Sequence, residues 1–193
     1  MNWDSQESGL VAGGNGFPNA SGTLLTLTIT TLDLDAREFT ISLVDPLTSN
    51  YTMDSTIDLD AKTVTVNLGT DGVGAINVDT SAVETEINTH AELIASGGDA
   101  TTASAASVTL ARSGVDVRRS RVAIVRVEPV LASGINIRSF GVFKGRDDWD
   151  LLPDGNVIDI DLSTSVYVNT DKVEHLYVEV TSNDDTVNVD IGR

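Results

Sequence analysis

Cysteine is absent from the 193-residue sequence. That absence excludes disulfides, thiol catalysis and cysteine-based metal sites. Aromatic residues make up only 5% of the chain, so we expect a core of Val, Ile, Leu and Ala. Val and Thr are abundant, and both suit a pleated surface. No apolar run approaches the roughly 20 residues of a transmembrane helix. These features predict a mainly β protein.

Lysine is also scarce, with only Lys62, Lys144 and Lys172 present. Twelve basic residues face 29 acidic ones, and the formal net charge is −17. Such a chain repels itself in dilute buffer, whereas at ~1 M salt the Debye length falls to roughly 3 Å and screens the repulsion. The alternative is an ordinary acidic domain whose Asp residues sit in turns and bind cations. We favour a protein adapted to brine, because turns do not explain the shortage of lysine.

The first nine residues lack the pattern of a signal peptide. MNWDSQESG has neither a basic flank nor an apolar core, so we expect no signal peptide. The Gly- and Asn-rich residues that follow have no periodicity and would not order themselves. Residues 1–22 are therefore expected to form an extended arm that packs on its own body or on a neighbouring subunit.

Residues 23–111 are predicted to form an acidic β-rich module with one helix. Alternating apolar residues predict strands over 23–30, 39–43, 51–59 and 63–68. Ser81 and Glu84 form a capping box at the start of a helix over about 81–95. Its apolar stripe comprises Val83, Ile87, Ala91 and Ile94, and Gly97-Gly98 is expected to end it. So narrow a stripe requires packing on the preceding sheet.

Residues 112–193 are predicted to form a β-sandwich-like module with a basic first part. Arg112 to Arg146 holds eight basic residues and only two acidic ones. Alternation predicts strands over 121–132, 135–143, 158–162, 176–180 and 187–191, with an acidic loop over 145–156. Asp154-Gly155-Asn156 and Asn183-Asp184-Asp185 are predicted turns between these strands. The fold class expected for the whole chain is mainly β, with an antiparallel jelly-roll or sandwich-like body and one short helix packed on the front sheet.

Two groups of residues in the front half form a recognisable pattern: Val66, Leu68, Thr70, Asp71, Gly74 and Ile76, and then Thr80 or Ser81 with Val83, Ile87 and Asn88. With this pattern the front half resembles structural proteins of tailed or icosahedral viruses, of the capsid, decoration or tail type. The resemblance covers roughly residues 37–98. Glu84, Glu86 and Glu92 depart from the Ala-rich helices of such proteins. The resemblance implies an assembly role in a virion, and the composition adds a halophilic host.

One group of carboxylates is a candidate cation site. Asp147, Asp148, Asp150 and Asp154 lie within eight residues and would offer oxygen ligands to Ca²⁺. Their spacing does not fit an EF-hand loop. The alternative is a solvated loop anchored by Trp149, and we favour it. No other cofactor is expected, because the sequence contains no phosphate-binding motif.

Six arginines are candidates for a subunit interface: Arg112, Arg118, Arg119, Arg121, Arg126 and Arg138. Arginine pairs well with carboxylates, so this stretch could meet the acidic face of a neighbouring copy. The alternatives are weak intramolecular ion pairs and contact with nucleic acid. We favour subunit contact, and we regard nucleic acid as the weakest alternative because the chain is so acidic.

These observations predict a non-enzymatic structural protein located in the virion, a capsid coat or decoration subunit. Its partners would be copies of itself and other capsid proteins, with no small-molecule substrate. His90 and His175 have no Ser or Cys motif beside them, so no catalytic residue is expected. The alternatives are a tail or fibre component and a secreted Ca²⁺-dependent module that binds carbohydrate or a cell surface.

The charge imbalance leads to a test in solution. The free energy of unfolding should rise as NaCl increases from ~0.1 to ~2 M, because screening removes self-repulsion. Chemical denaturation with urea, which adds no charge, measures this at each salt concentration. A flat or falling trend would contradict the adaptation to brine.

Overall fold

A computed structural model gives the fold and describes residues 3–11, 18–129, 134–160, 164–182 and 186–192. The protein is mainly β, with 55% strand and 5% helix, in agreement with the composition. The chain forms two compact units. The inserted unit is Asn19–Arg112, and the flanking unit comprises Met1–Pro18 and Ser113–Arg193.

The described residues form sixteen strands and one helix. Up to the helix, the elements are β1 (Trp3–Val11), β2 (Ala20–Leu24), β3 (Leu27–Thr31), β4 (Thr40–Val44), β5 (Asp54–Asp58), β6 (Thr63–Asn67) and α1 (Thr80–Ile87). Short strands follow, namely β7 (Leu93–Ser96), β8 (Ala106–Thr109), β9 (Ala111–Arg112) and β10 (Val115–Asp116). The last six are β11 (Val122–Pro129), β12 (Ile135–Phe143), β13 (Trp149–Ile160), β14 (Thr164–Asn169), β15 (Val173–Ser182) and β16 (Thr186–Gly192).

The inserted unit contains two four-stranded sheets, ordered β7-β3-β2-β9 and β5-β6-β4-β8. Both sheets contribute side chains to one core, for example Leu27 and Ile29 from the first and Ile41 and Val64 from the second. The pairing is antiparallel except between β4 and β6, which run parallel. That exception arises because β5, the strand between them in sequence, lies at the sheet edge and, among the described strands, pairs only with β6.

The prediction of one strand over residues 23–30 was wrong, because the segment is a tight hairpin. β2 pairs with β3 from Ser21↔Thr30 to Leu24↔Leu27. Leu25 lies at the tip with a φ of 56° and is 40% exposed, although alternation placed it in the core. The turn shifts the side-chain alternation by one residue, so that Leu24 and Leu27 are both buried.

The helix is shorter than predicted. α1 begins after Asp79, whose carboxylate accepts a hydrogen bond from Ala82 N–H at 2.9 Å, so Asp79 rather than Ser81 is the N-cap. The helix ends at Ile87. The following residues form β7, which pairs with β3. The described residues include no helix of the length and apolarity needed to cross a membrane.

The early end of the helix has a local cause. The side-chain amide of Asn88 forms two hydrogen bonds to the backbone of Ala95, one donated at 3.1 Å and one accepted at 2.7 Å. Val83 and Ile87 are fully buried, whereas Ile94 is 49% exposed. Gly97 does not cap the helix. It allows close approach to the Thr26 carbonyl, which would lie 2.8 Å from an added Cβ.

The outer face of the sheet β5-β6-β4-β8 is lined by hydroxyl groups. Thr40 lies between Thr63 and Thr109 in the strand register, and Ser42 lies between Thr65 and Ser107. The Thr40 and Thr109 hydroxyls are 3.0 Å apart, and the Ser42 and Ser107 hydroxyls are 3.2 Å apart. Thr56 on β5 extends the second row. The Thr-rich alternation of these strands therefore separates apolar core positions from a hydroxyl surface.

The flanking unit also contains two four-stranded sheets, ordered β1-β16-β11-β14 and β10-β15-β12-β13. Every pair is antiparallel. One core draws on both sheets, with Val125 and Ile191 from the first and Ile137 and Val178 from the second. The core is built from branched aliphatic side chains, as the low aromatic content predicts.

The acidic loop predicted over residues 145–156 is mostly strand, because β13 begins at Trp149. Asp154-Gly155-Asn156, which was predicted to be a turn, instead forms an irregularity within β13. A step of two residues on β12, from Ile137 to Ser139, faces a step of five on β13, from Leu152 to Val157. Pro and Gly are common at such bulges. The turn predicted at Asn183–Asp185 lies outside the described residues.

The chain passes from the inserted unit to the flanking unit after Arg112. The prediction separated residues 23–111 from 112–193, and the structure divides the chain between Arg112 and Ser113. Residues 1–22 were predicted to form an extended arm. Trp3–Val11 is a strand paired with β16. At the other end of this segment, Ala20 pairs with Arg112, so the two ends of the inserted unit are neighbours.

The bulge in β13 provides a test of the packing. A Cβ added at Gly155 would lie 2.4 Å from the Cβ of Ser139, which is fully buried. Gly155→Ala should therefore lower the free energy of unfolding by about 1–3 kcal/mol. The matched control is Gly72→Ala, where the nearest atom would be 3.7 Å away and the change should stay within about 0.5 kcal/mol. Urea denaturation measures both, and equal effects would contradict the packing argument.

Candidate functional site

The structure does not bring the six predicted interface arginines together. Arg112 donates to the Ala36 carbonyl at 2.8 Å and lies 4.0 Å from Glu38, within the inserted unit. Arg138 pairs with Glu179 at 2.6 Å and lies over the ring of Phe140. These two arginines are engaged within their own units.

Arg126 is separated from the other arginines by the strand geometry. It is exposed on β11, where it faces Asp190 on one neighbouring strand and Ser165 on the other. Its position in the middle of a sheet face places it away from the residues that precede β11. The remaining predicted residues, Arg118, Arg119 and Arg121, lie in the loop between β10 and β11.

The register of the flanking unit brings this loop beside two others. Val122 at the start of β11 pairs with Asn169 at the end of β14. Phe143 at the end of β12 pairs with Val173 at the start of β15. The β10–β11 loop, the β12–β13 loop and the β14–β15 turn therefore meet at one end of the unit.

Backbone hydrogen bonds fix the three loops to one another. Thr170 N–H donates to the Arg121 carbonyl at 2.9 Å, and the Thr170 hydroxyl donates to the Ser120 carbonyl at 3.1 Å. Lys144 N–H donates to the Lys172 carbonyl at 2.9 Å. Because these bonds hold the loop backbones in place, the long basic side chains start from fixed positions.

Five basic residues line a depression of about 410 Å³ at this end. We call Arg118, Arg119, Arg121, Lys144 and Lys172 the basic loop cluster. Asp171 and Glu174 also line the depression, which leaves it with an excess of positive charge in a chain of net charge −17. An acidic protein thus concentrates five of its twelve basic residues at one place.

Four members of the basic loop cluster have no ion-pair partner among the described residues: Arg119, Arg121, Lys144 and Lys172. Arg118 differs, because it forms a bidentate pair with Asp116 with N–O distances of 2.5–3.0 Å. The hydrogen bond from Arg118 holds the pKa of Asp116 well below its usual range, and the charge of His175 adds to the effect. The cluster therefore contains one internally paired cation and four that are available to an external anion.

Sequence reasoning named the three arginines of the cluster as candidates. It included Lys144 in the basic stretch without naming it as a candidate, and it missed Lys172. Both lysines lie in turns, and only the pairing of β12 with β15 brings them beside the arginines. One available signal was that they are two of the three lysines in the chain. Lys172 also has a φ of 67°, in the left-handed region where Gly or Asn is more favourable.

The four predicted cation ligands do not form a grouped site. Asp150 pairs with Arg146 at 3.3 Å, and Asp154 accepts a hydrogen bond from Asn169 N–H at 2.8 Å. Asp147 is half-buried and Asp148 is exposed. Within the described ranges, no three acidic or histidine side chains are arranged to hold a metal ion. The Ca²⁺ site stays a prediction.

His90 forms a hydrogen-bonded group with Ser55 and Glu86. The Ser55 hydroxyl lies 2.6 Å from the Glu86 carboxylate and 2.9 Å from His90 Nε2. A serine has one hydroxyl proton, and here it is donated to Glu86, so His90 must donate to Ser55. In a catalytic triad the imidazole stands between the hydroxyl and the carboxylate. The arrangement here instead connects β5 to the helical segment.

The segment that carries the viral resemblance forms a hydrogen-bonded loop. The Thr70 hydroxyl donates to the Thr48 carbonyl and accepts from Tyr51 N–H. The Asp71 carboxylate accepts hydrogen bonds from Val73 and Ala75 N–H, each at 2.9 Å. These bonds lower the pKa of Asp71. The Thr-Asp pattern therefore has a structural role that needs no ligand.

Comparison of the chain with protein-family models, with curated proteins and with solved structures finds no match in any of the three.

The Asp116–Arg118 pair predicts a dependence of stability on pH. The pKa of Asp116 is lower in the folded state than in the unfolded state, so the pair stabilises the fold at neutral pH. That contribution is lost as the pH falls below about 4. Because both side chains are partly exposed, we expect it to stay below about 1 kcal/mol. The free energies of unfolding of wild type and Asp116→Asn should therefore converge at low pH, and a constant difference would contradict the assignment.

Proposed function

We propose that the chain is a non-enzymatic structural subunit of a virus particle, a coat or decoration protein that assembles with copies of itself in the virion. The observation that carries this proposal is the order in which the strands of the flanking unit pair. It adds to the resemblance of the inserted unit's central segment to viral structural proteins.

From the order in which the strands pair we infer a jelly roll. The eight strands of the flanking unit form nested pairs, in which the first strand pairs with the last, the second with the second to last, and so on. The pairs are β1 with β16, β10 with β15, β11 with β14, and β12 with β13. This is one long antiparallel ribbon folded on itself. Two further pairs, β11–β16 and β12–β15, wind the ribbon into two sheets. Jelly rolls occur in viral capsid proteins, although lectins and cupins use them too, so the fold supports the class and does not identify it.

The charge distribution supports assembly between copies. The inserted unit carries three basic and 13 acidic residues, whereas the flanking unit presents the basic loop cluster. Surfaces of opposite charge on one molecule steer copies together. We assign subunit contact to Arg119 and Arg121, with Lys144 and Lys172 beside them. Nucleic acid is a weaker partner, because the acidic inserted unit would repel it.

The alternative functions have less support. A tail or fibre component would use the same assembly chemistry at another place in the particle. For a Ca²⁺-dependent binding module, two of the four candidate carboxylates, Asp150 and Asp154, already have partners in the protein. No feature of the described residues specifically favours either alternative.

Two measurements test the proposal together. Light scattering across a concentration series should give a mass several times the 20.4 kDa of the chain. Mass spectrometry of purified virus particles that carry the gene should detect the chain in multiple copies per particle. A monomer at every concentration that is also absent from the particles would overturn the proposal.

A further inference from the structure

The inserted unit presents an acidic hairpin that is suited to the basic loop cluster. We call β5, β6 and the turn between them the acidic hairpin. Its carboxylates are Asp54 and Asp58 on β5 and Asp60 in the turn, all of them exposed. None of the three makes an ion pair within the described part of the chain. Lys62 in the turn is the one basic residue of the hairpin, so three carboxylates and one lysine leave it with a net charge of −2.

The carboxylates of the hairpin are held in place by neutral groups. Asp54 accepts hydrogen bonds from the Tyr51 hydroxyl at 2.9 Å and from the Asn67 amide at 2.7 Å. The Asp58 carboxylate accepts from two backbone N–H groups of the turn, at 2.9 and 3.0 Å. These bonds fix the carboxylates and leave their charge uncompensated, which favours binding of a cationic surface.

Of the other carboxylates of the inserted unit, Asp35 is ion-paired with Arg37, whereas Glu84 and Glu86 accept hydrogen bonds from neutral groups, Gly98 N–H at 2.6 Å and the Ser55 hydroxyl. The acidic hairpin lies at a sheet edge, since β5 pairs with no described strand other than β6. An open strand edge carries unpaired backbone groups and is a common place for a second chain to bind.

We propose that the basic loop cluster of one copy binds the acidic hairpin of a second copy. This inference rests on the proposed assembly function and names the two surfaces that meet. Four cations without ion-pair partners face three carboxylates without ion-pair partners. Because the two surfaces differ, each contact leaves one cluster and one hairpin open at the ends. The contact is heterologous, and it builds a closed ring or an extended chain of copies.

The test is a charge swap in the full chain. R119E/R121E reverses two cations of the cluster, and T56R/D60R makes the hairpin basic. Within the described part of the chain, none of these four side chains makes a hydrogen bond, so both variants should fold. Circular dichroism and urea denaturation check that they do. Light scattering at ~0.1 M salt, where the Debye length is about 10 Å, should show that each variant alone associates on the order of tenfold or more weakly than wild type.

The mixture of the two variants is the decisive sample. One variant carries an acidic cluster and an acidic hairpin, and the other carries a basic cluster and a basic hairpin. At equal concentrations every contact in an alternating assembly is again between opposite charges, so the mixture should regain association. If both variants fail alone and the mixture also fails, the cluster does not bind the hairpin.

Two controls separate charge from position. R119K/R121K keeps the charge of the cluster and should associate as wild type does. V73R/A91R/S104R changes exposed residues of the inserted unit and raises the net charge as T56R/D60R does. It should still associate. Loss of association in this control would show that net charge, and not the hairpin, controls assembly.

The remaining outcomes distinguish this inference from the proposed function. If wild type associates and R119E/R121E associates equally well, the inference is wrong and the assembly function stands. If wild type is monomeric at every concentration, the inference is wrong, and the proposed function also fails if the chain is absent from purified particles. A titration with pyrophosphate at constant ionic strength adds one more arm. Binding that depends on Arg119 and Arg121, with association unchanged in the reversed variant, would make the cluster a small-anion site instead.

Discussion

The flanking unit depends on the pairing of its first strand with its last. β1 and β16 lie at opposite ends of the sequence and form one antiparallel pair, and the other pairs are nested inside it. Closing such a long loop costs conformational entropy, although the cost grows only slowly with loop length. The apolar faces of both sheets offset it by sharing one core of Val, Leu and Ile. With so few aromatic residues, many branched side chains must fit together, so that small errors in register expose apolar surface.

Charge is the second constraint on this protein. The 29 acidic residues outnumber the 12 basic ones, and the inserted unit contains only three basic residues, Arg37, Lys62 and Arg112. The hydroxyl face of the sheet β5-β6-β4-β8 fits this pattern, because Thr and Ser are polar without adding to the repulsion. The basic loop cluster is the exception. It keeps cations close together in a molecule whose acidic residues could have neutralised them, and this contrast is the physical basis for assigning it a binding role.

The alternation of apolar and polar residues was enough to predict those strands in which it runs without interruption. β4 and β6 lie within or close to their predicted ranges, and the mainly β class followed from composition. The pattern failed where a turn is built from ordinary residues. Nothing in the sequence around Leu25 signals a hairpin, since leucine rarely adopts a positive φ. The helix was overextended because Ala91 and Ile94 continue its spacing, whereas the amide of Asn88 and the pairing of β7 with β3 end it.

The candidate site shows the same division. Arg118, Arg119 and Arg121 are consecutive or nearly so, and the sequence alone identified them as basic. Lys144 and Lys172 join them only through the pairing of β12 with β15, which is set by contacts between distant segments. Charge composition likewise could not show that Arg138 is paired with Glu179. The register of the strands therefore decides which basic side chains lie beside an acidic residue of the same chain and which are available to a partner.

The pairing of Ala20 with Arg112 has a consequence for the origin of the chain. The inserted unit leaves and rejoins the flanking unit through neighbouring strands, about 5 Å apart. A segment with adjoining ends can enter or leave a host fold at one loop without stretching it, as domain insertions generally require. The inserted unit is thus suited to exchange as a module, with the flanking unit as the scaffold that receives it.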